Sequence, residues 1–267
     1  MSKLNNLTDF LTSLADKFRS KLGTTGTINP QDFDSKVDEV YEKGVSDEYD
    51  RFWDTYQDNG NRTNYSYAFY NKYWNLENFN PKYGGSLTNA FNMFYGATNI
   101  PYTDLTQPIG NSSEPFDFTE CSDFRYFVSD SNITKVPKID LSKSDYGANS
   151  LFYSAKNLET VTELAFPDTP MSYSGGSTNN ALRGCNALKN ITVTGTICNT
   201  GLDLHWSTML TTESLLSILT ALSKDSAVAT GLSITLPTAA QEKINASTAC
   251  TEQYNAALSA GWTIAFA

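Results

Sequence analysis

The chain has one histidine, His205, among 267 residues. A Ser-His-Asp triad would have to use it, yet no G-x-S-x-G precedes a helix, and a histidine-built metal site has no second ligand. LDLHW reads as a short apolar strand and gives His205 a structural place. Cysteine is sparse: Cys121, Cys185, Cys198 and Cys250 form no C-x-x-C pair, so they are expected as reduced, buried small hydrophobes rather than metal ligands. No Walker A or G-x-G-x-x-G fingerprint occurs, so no nucleotide cofactor is indicated. Charged residues make up 18% of the chain, no Lys/Arg-rich run occurs and the net charge is −10; a nucleic-acid ligand would need cations to displace its counterions. No run of about 18 apolar residues offers a membrane span, and MSKLNNLTDFLTSLADKF lacks the continuous apolar core of a signal peptide. The expectation is a chain made in the cytoplasm, without metal or cofactor, that neither inserts into a membrane nor binds nucleic acid.

What fills the space is Asn, Ser, Thr and aromatics, the last at 13%. Such a composition suits turn-rich β folds, whose loops hydrogen-bond their own backbone, and is too aromatic for a disordered chain. Residues 1–44 read as two short helices. Leu7, Leu11, Leu14, Phe18 and Leu22 recur at three and four residues and form one apolar stripe. GTTGTIN interrupts, Pro30 starts the second helix, and Phe33, Val37, Val40 and Tyr41 form its apolar side, with Gly44 as its stop. Two such helices bury too little to stand alone, so the stripe is expected to attach to the rest of the chain, to sister copies or to a partner.

Residues 45–88 read as an aromatic-rich cap. Between positions 51 and 83 stand eleven aromatics, from Phe52, Trp53 and Tyr56 through Tyr65, Tyr67, Phe69 and Tyr70 to Tyr73, Trp74, Phe79 and Tyr83. YSYAFY alternates weakly, as a strand would. Core packing is the first expectation for this block and a sugar-stacking platform the second.

Residues 89–210 carry an irregular internal repeat. YGATNIPY, SDSNITKV, SAKNLETV and GCNALKNI align, with Ile100, Ile133, Leu158 and Leu188 in register at spacings of 33, 25 and 30 residues. Periods of this size mark stacked units, none of which can bury its apolar side alone. KVPKIDL and NITVTGTI follow as short strands, and a Gly or Ala before Asn-Leu lets neighbouring units approach. In residues 211–267, Thr211 or Thr212 caps a helix TTESLLSILTALS, GLSITLP is a strand ended by Pro237, AAQEKINA and TEQYNAALSAG are helices, the latter stopped by Gly261, and WTIAF is a last strand. This is the closing unit that a stack needs. The predicted fold is α+β: an irregular leucine-rich-repeat solenoid with short strands, an N-terminal helical pair and a C-terminal α/β cap.

NNALRGCNALKNITVTGTI is similar to the irregular leucine-rich repeats of bacterial cell-surface antigens, although not every unit has a full Ala-Phe-x-x-Cys. LADKFRSKLGTTGTINPQDFDSKVDEV resembles a module at the head of many phage virion proteins. FWDTYQDNGNRTNYSYAFYNKYWNLENFNPKY and the C-terminal stretches resemble segments found with it in tailed phages of gut bacteria. These resemblances imply a phage tail or virion-surface protein rather than an enzyme. Its partners would be other virion proteins or sister copies through residues 1–44, and a host surface glycan or protein. A polysaccharide-degrading tail enzyme is the alternative: Glu48, Asp50 and Asp54 beside Trp53 form the one acidic group in an aromatic frame, with Asp47 also available to Ca²⁺. A bacterial surface adhesin is the third reading.

No catalytic residues are assigned. For binding, the loops are expected to present Tyr102, Asp104, Asp145, Tyr146 and Tyr173, the last followed by Gly175, Gly176 and the STNN run. Tyr combines an apolar ring with a hydroxyl, and Asp accepts from sugar hydroxyls.

Overall fold

The computed structural model describes residues 3–40, 63–70, 86–98, 100–109, 114–176 and 179–267, the side chains of 3–9 and Pro30 excepted. Most of the aromatic block, including Trp53, Tyr73, Trp74, Phe79 and Tyr83, lies outside the described residues, as do Tyr41, Gly44, Asp47, Glu48, Asp50 and Asp54. The chain divides into two units, Met1–Tyr56 and Gln57–Ala267.

In the first unit, helix α1 (Lys3–Leu22) ends on Arg19 and Lys21, cations that suit the carbonyl end of a helix. Gly23 at φ +66° turns the chain, and Thr24 N donates to Arg19 O at 3.1 Å. Pro30–Asp32 forms one 3-10 turn, and residues 33–40 are helical (α2), so the second helix starts three residues past the expected Pro30. Ala15, Phe18 and Ile28 are buried, with Leu14, Phe33 and Val40 packed on them. Phe18 and Phe33 meet edge to face, their centroids 5.4 Å apart. The predicted attachment stripe is therefore spent in part on its own hairpin. Leu14 and Phe18 face α2, Leu11 and Leu22 are half-buried, and Leu7's side chain lies outside the described residues. Among the described residues of this unit, the large apolar side chains left to solvent are Phe10, 61% exposed, and Val37, 55% exposed.

The second unit is built on two parallel backbone ladders. The strand ladder consists of β1 (Lys135–Asp140), β2 (Thr160–Ala165) and β3 (Asn190–Thr194), in that order. Asp104 bridges onto Lys135 beside β1. Val136, Ile139, Val161, Leu164, Ile191 and Val193 point inward and are buried. Pro137 has no N–H to give, so the pairing runs around it: Val136 opposes Val161 and Lys138 opposes Glu163. Expected strands KVPKIDL and NITVTGTI correspond to β1 and β3.

The turn ladder joins the segments between the strands. Tyr67 N donates to Phe91 O (2.9 Å), Phe94 N to Phe127 O (2.8 Å), Asp130 N to Tyr153 O (3.1 Å) and Ser154 N to Arg183 O (2.7 Å). YSYAFY is thus a tight turn rather than the weak strand its alternation suggested, with Tyr67 at φ +59°. The same left-handed backbone recurs at Gly96, Asp130, Ser154 and Gly184, three or four residues before the aligned Ile100, Ile133, Leu158 and Leu188, all buried. A Cβ on Gly184 would sit 3.0 Å from Ser154 Cα, which is the close approach that a small residue permits.

Thr211 caps α3 (Thr212–Ala221), accepting from Ser214 N. The chain continues through α4 (Ser226–Ala229), β5 (Ser233–Leu236), α5 (Thr238–Ala246), α6 (Thr248–Ala260) and β6 (Thr263–Phe266). Gly261 at φ +106° ends α6, where a side chain would be strained. With β4 (Leu202–Asp203) these strands form a second parallel sheet, β4-β5-β6. Helix α3 also closes the open edge of β3. Ser214 Oγ accepts from Ile191 N at 2.9 Å and lies 3.2 Å from Lys189 O, while Ser217 Oγ accepts from Val193 N at 3.1 Å and lies 3.1 Å from Ile191 O. Two hydroxyls one helical turn apart thereby replace the backbone of a further strand. All four cysteines are buried and free; burial pushes the Cys121 and Cys185 thiols up to about 12, so neither is a nucleophile at neutral pH. Among the described residues no helix is long and apolar enough to cross a membrane, and no group of His, Cys, Asp and Glu could hold a metal ion.

Candidate functional site

Five turns open with an Asn or Asp whose side chain accepts the backbone N–H two residues on. The pairs are Asn64–Ser66 (3.0 Å), Asn89–Phe91 (2.9 Å), Asp123–Arg125 (3.2 Å), Asn179–Ala181 (2.6 Å) and Asp203–His205 (3.3 Å). This local bond diverts the chain from extended structure and fixes the direction in which the following side chain leaves. It also corrects the expected placement of His205: β4 stops at Asp203, and His205 lies beyond the strand, in the turn.

At Asp123 and Asp203 the carboxylate does a second job. Asp123 takes Arg125 Nε at 3.0 Å and Arg125 Nη2 at 2.7 Å, a two-pronged pairing that raises the guanidinium's affinity for its proton. Asp203 Oδ1 lies 2.5 Å from His205 Nδ1, and its Oδ2 lies 3.8 Å from Arg183 Nε. Both cationic or aromatic planes are held by the acid that opens their own turn.

Arg125 is also sandwiched. Its guanidinium carbon stands 4.5 Å from the Phe91 centroid and 3.5 Å from that of Tyr146. Tyr67 follows, 5.1 Å from Phe91 and turned 80° to it. The row Tyr67–Phe91–Arg125–Tyr146 therefore crosses consecutive turns, with the Arg125 guanidinium over both the Phe91 and Tyr146 rings. Beside it runs a second row. Tyr70 stacks on Tyr95 at 5.3 Å, and Tyr95 meets Tyr126 edge to face at 5.9 Å. Burial, then the nearby Asp130 and the phenols of Tyr70, Tyr126 and Tyr153, push the Tyr95 hydroxyl above its ordinary pKa. Tyr67 and Tyr70 join the two rows at 5.2 Å. Tyr67 is 46% exposed and Tyr146 37%.

The five predicted binding residues separate into two groups. Asp145, Tyr146 and Tyr173 belong to the turn side: a Cβ on Gly147 would lie 2.3 Å from Tyr173 O, so the loops 145–147 and 171–173 touch through their backbones. Tyr173 is 45% exposed. Tyr102 and Asp104 belong to the strand ladder. Asp104 is not a free loop carboxylate, for it pairs with Lys135 at 2.8 Å and accepts from Thr106 N and Oγ1. Burial works against its ionisation, yet Lys135 and Thr106 prevail and leave its pKa below the ordinary range. Sequence reasoning missed Phe91, Arg125, Tyr95 and Tyr126; the signal that could have found Phe91 and Arg125 is the Asn or Asp two residues before each.

A groove of ≈ 320 Å³ lies where β2 and β3 meet the start of α3, lined by Thr160, Thr162, Asn190, Thr192, Thr211 and Glu213 among others. Glu213 is the one carboxylate lining it, so hydrolysis by paired carboxylates finds no second member there. The outer side of the strand ladder is otherwise occupied with itself: Lys138 pairs with Glu163 (3.0 Å), Glu163 accepts from Thr194 (2.7 Å), and Lys189 pairs with Glu159 (3.5 Å). No protein-family model, curated protein or solved structure matches the chain.

Proposed function

We propose that the chain is a non-enzymatic structural protein of a tailed phage, placed at the tail or virion surface, that binds an extended host-surface polymer along an irregular leucine-rich-repeat solenoid. The binding half of this reading is carried by one observation: successive turns place Tyr67, Phe91, Arg125 and Tyr146 in a continuous row on a rigid ladder. Side chains from equivalent places in stacked units suit extended ligands, and their mutual stacking removes rotamer freedom before binding. The solenoid reading is supported by the two parallel ladders, by the recurring positive φ and by the Asx-type turns. The phage half rests on the sequence resemblance, and attachment through residues 1–44 is supported by the exposed Phe10 and Val37.

Antibodies raised against residues 57–267 test both halves. They should label purified phage particles and slow adsorption to the host. A protein absent from purified particles removes the phage assignment. Sustained release of reducing ends from host glycan by the pure protein favours the tail-enzyme reading instead.

A further inference from the structure

We infer that the occupant of the turn face is a neutral, hydroxyl-rich polysaccharide of extended, β-1,4-linked form, lying along the ladder with about one sugar ring per turn. The inference rests on the binding half of the proposed function and names its ligand class.

The repeat distance comes first. Parallel backbone pairing sets neighbouring turns about 4.8 Å apart, close to the length of one hexopyranose ring with its linkage. Ring and guanidinium centres in the first row follow one another at 5.1, 4.5 and 3.5 Å, and in the second row at 5.3 and 5.9 Å. A peptide in extended form advances about 3.3 Å per residue and falls out of step within a few turns.

The chemistry of the exposed rings comes second. Phe91 and Tyr146 each have a face on the Arg125 guanidinium, and Tyr67 and Tyr146 remain 46% and 37% exposed, so phenol-bearing rings are what the ligand meets. A phenol both donates and accepts, as a sugar hydroxyl does. Tyr67, Tyr70, Tyr95, Tyr126, Tyr146 and Tyr153 provide such groups over consecutive turns.

Charge comes third. Arg125 already holds Asp123, and Arg183 and His205 share Asp203. The acids of this face, Asp123, Asp130, Asp145 and Asp203, thus outnumber its Arg125, Lys156 and Arg183, with Lys156 acting on Asp130, and the chain carries −10 overall. A uronic-acid or phosphate-bearing polymer would be repelled; a neutral one would not.

Titration calorimetry of the full chain with cello- and chito-oligosaccharides of two to six units tests this, with polygalacturonate as the polyanion. Affinity for at least one neutral series should rise by tenfold or more (about 1.4 kcal/mol per tenfold) from two to four units and then level off. Tyr67→Ala and Tyr146→Ala should each weaken hexasaccharide binding about three- to tenfold at an unchanged unfolding midpoint. Arg125→Lys should weaken it comparably, because the ammonium keeps the charge but not the plane. Tyr102→Ala, on the other ladder, should have no effect. Absence of binding by both neutral series, affinity indifferent to chain length, or equal binding of polygalacturonate overturns the inference. Phage adsorption undiminished by an excess of both cello- and chito-hexasaccharide would remove the glycan while leaving the adhesive reading in place.

Discussion

The strand ladder and the turn ladder are made by the same repeats, yet they meet solvent in opposite ways. On the strand side, charges and hydroxyls find partners on the next strand, as in Lys138–Glu163–Thr194, and the last edge is closed by Ser214 and Ser217. On the turn side, Asp123 is used within its own turn and Asp203 within its own and the preceding one, and what runs from turn to turn is chiefly a row of aromatic rings around Arg125. A surface whose polar groups are already paired along the stack has little left for a ligand. The phenols of the turn side are ordered, half-exposed and still able to exchange hydrogen bonds. The comparison fits the proposed division, scaffolding on one side and recognition on the other.

The sharpest way to break this division is at the seam leaving β3. Gly195 has φ +71°, and a Cβ there would lie 1.7 Å from Phe166 O, a backbone atom that no rotamer can move aside. Gly195→Ala should cost about 3–5 kcal/mol, measured by urea unfolding. Gly176 on the turn side has φ +75° with open space around it, so Gly176→Ala should cost only about 1–2 kcal/mol. Equal losses would mean that the backbone conformation, rather than close packing, dominates at both sites.

Next comes the closed edge. Ser214→Ala with Ser217→Ala removes the acceptors of the Ile191 and Val193 N–H groups, while Lys189 O keeps Thr211 N, at about 1–3 kcal/mol for each buried group left unpaired. The double variant should lose at least 2 kcal/mol, about the lower end of that range, and should associate at high concentration in light scattering. A fully stable, monodisperse double variant would show that water serves the β3 edge equally well.

A smaller effect is expected in the N-terminal hairpin. Phe10→Glu with Val37→Glu changes exposed positions, so stability should move by no more than about 0.5 kcal/mol. Self-association or incorporation into particles should fall, as read by analytical ultracentrifugation and particle composition. Unchanged assembly moves attachment away from this hairpin.

The smallest effect concerns acid. The Ser86 hydroxyl holds Asp117 below the ordinary carboxylate range, and the Thr194 hydroxyl followed by Lys138 does the same for Glu163. Both folded pKa values are depressed, so the stabilisation is present above the unfolded value of about 4 and fades as pH falls through the folded one. Denaturation midpoints recorded between pH 7 and pH 3 should decline, and Glu163→Gln should flatten the curve slightly. Lys138→Ala should cost no more than about 1 kcal/mol, as for other exposed pairs.

Much of the fold was legible because side-chain period and end signals agreed. Thr211 and Gly261 bound their helices as expected, and Ile100, Ile133, Leu158 and Leu188 mark the repeat because each is buried at one place in its turn. The candidate surface was less legible. Phe91 and Arg125 stand two residues after their opening Asn or Asp, but Tyr146 reaches the same row from the preceding loop. No single offset finds all three, and Arg125 belongs there for its plane, which an aromatic count overlooks. His205 was assigned to a strand from its apolar neighbours, whereas the local bond from His205 N to Asp203 accompanies the end of that strand. For Phe18 the apolar spacing was correct, but spacing does not say which partner a stripe will meet, and here it meets Phe33.

The serine pair on α3 has a bearing on how such a molecule can change length over generations. Its contacts across to β3 and the residue before it reach Lys189 O, Ile191 N, Ile191 O and Val193 N, atoms that every non-proline residue possesses. A terminator that reads main chain does not depend on the identity of the unit beneath it. Duplication or loss of an internal unit would bring a different strand under α3, with the same row of N–H and C=O groups to receive it. The stack can thus be lengthened or shortened from within while its end piece stays unaltered, and the reach of the turn face can be adjusted in whole-unit steps.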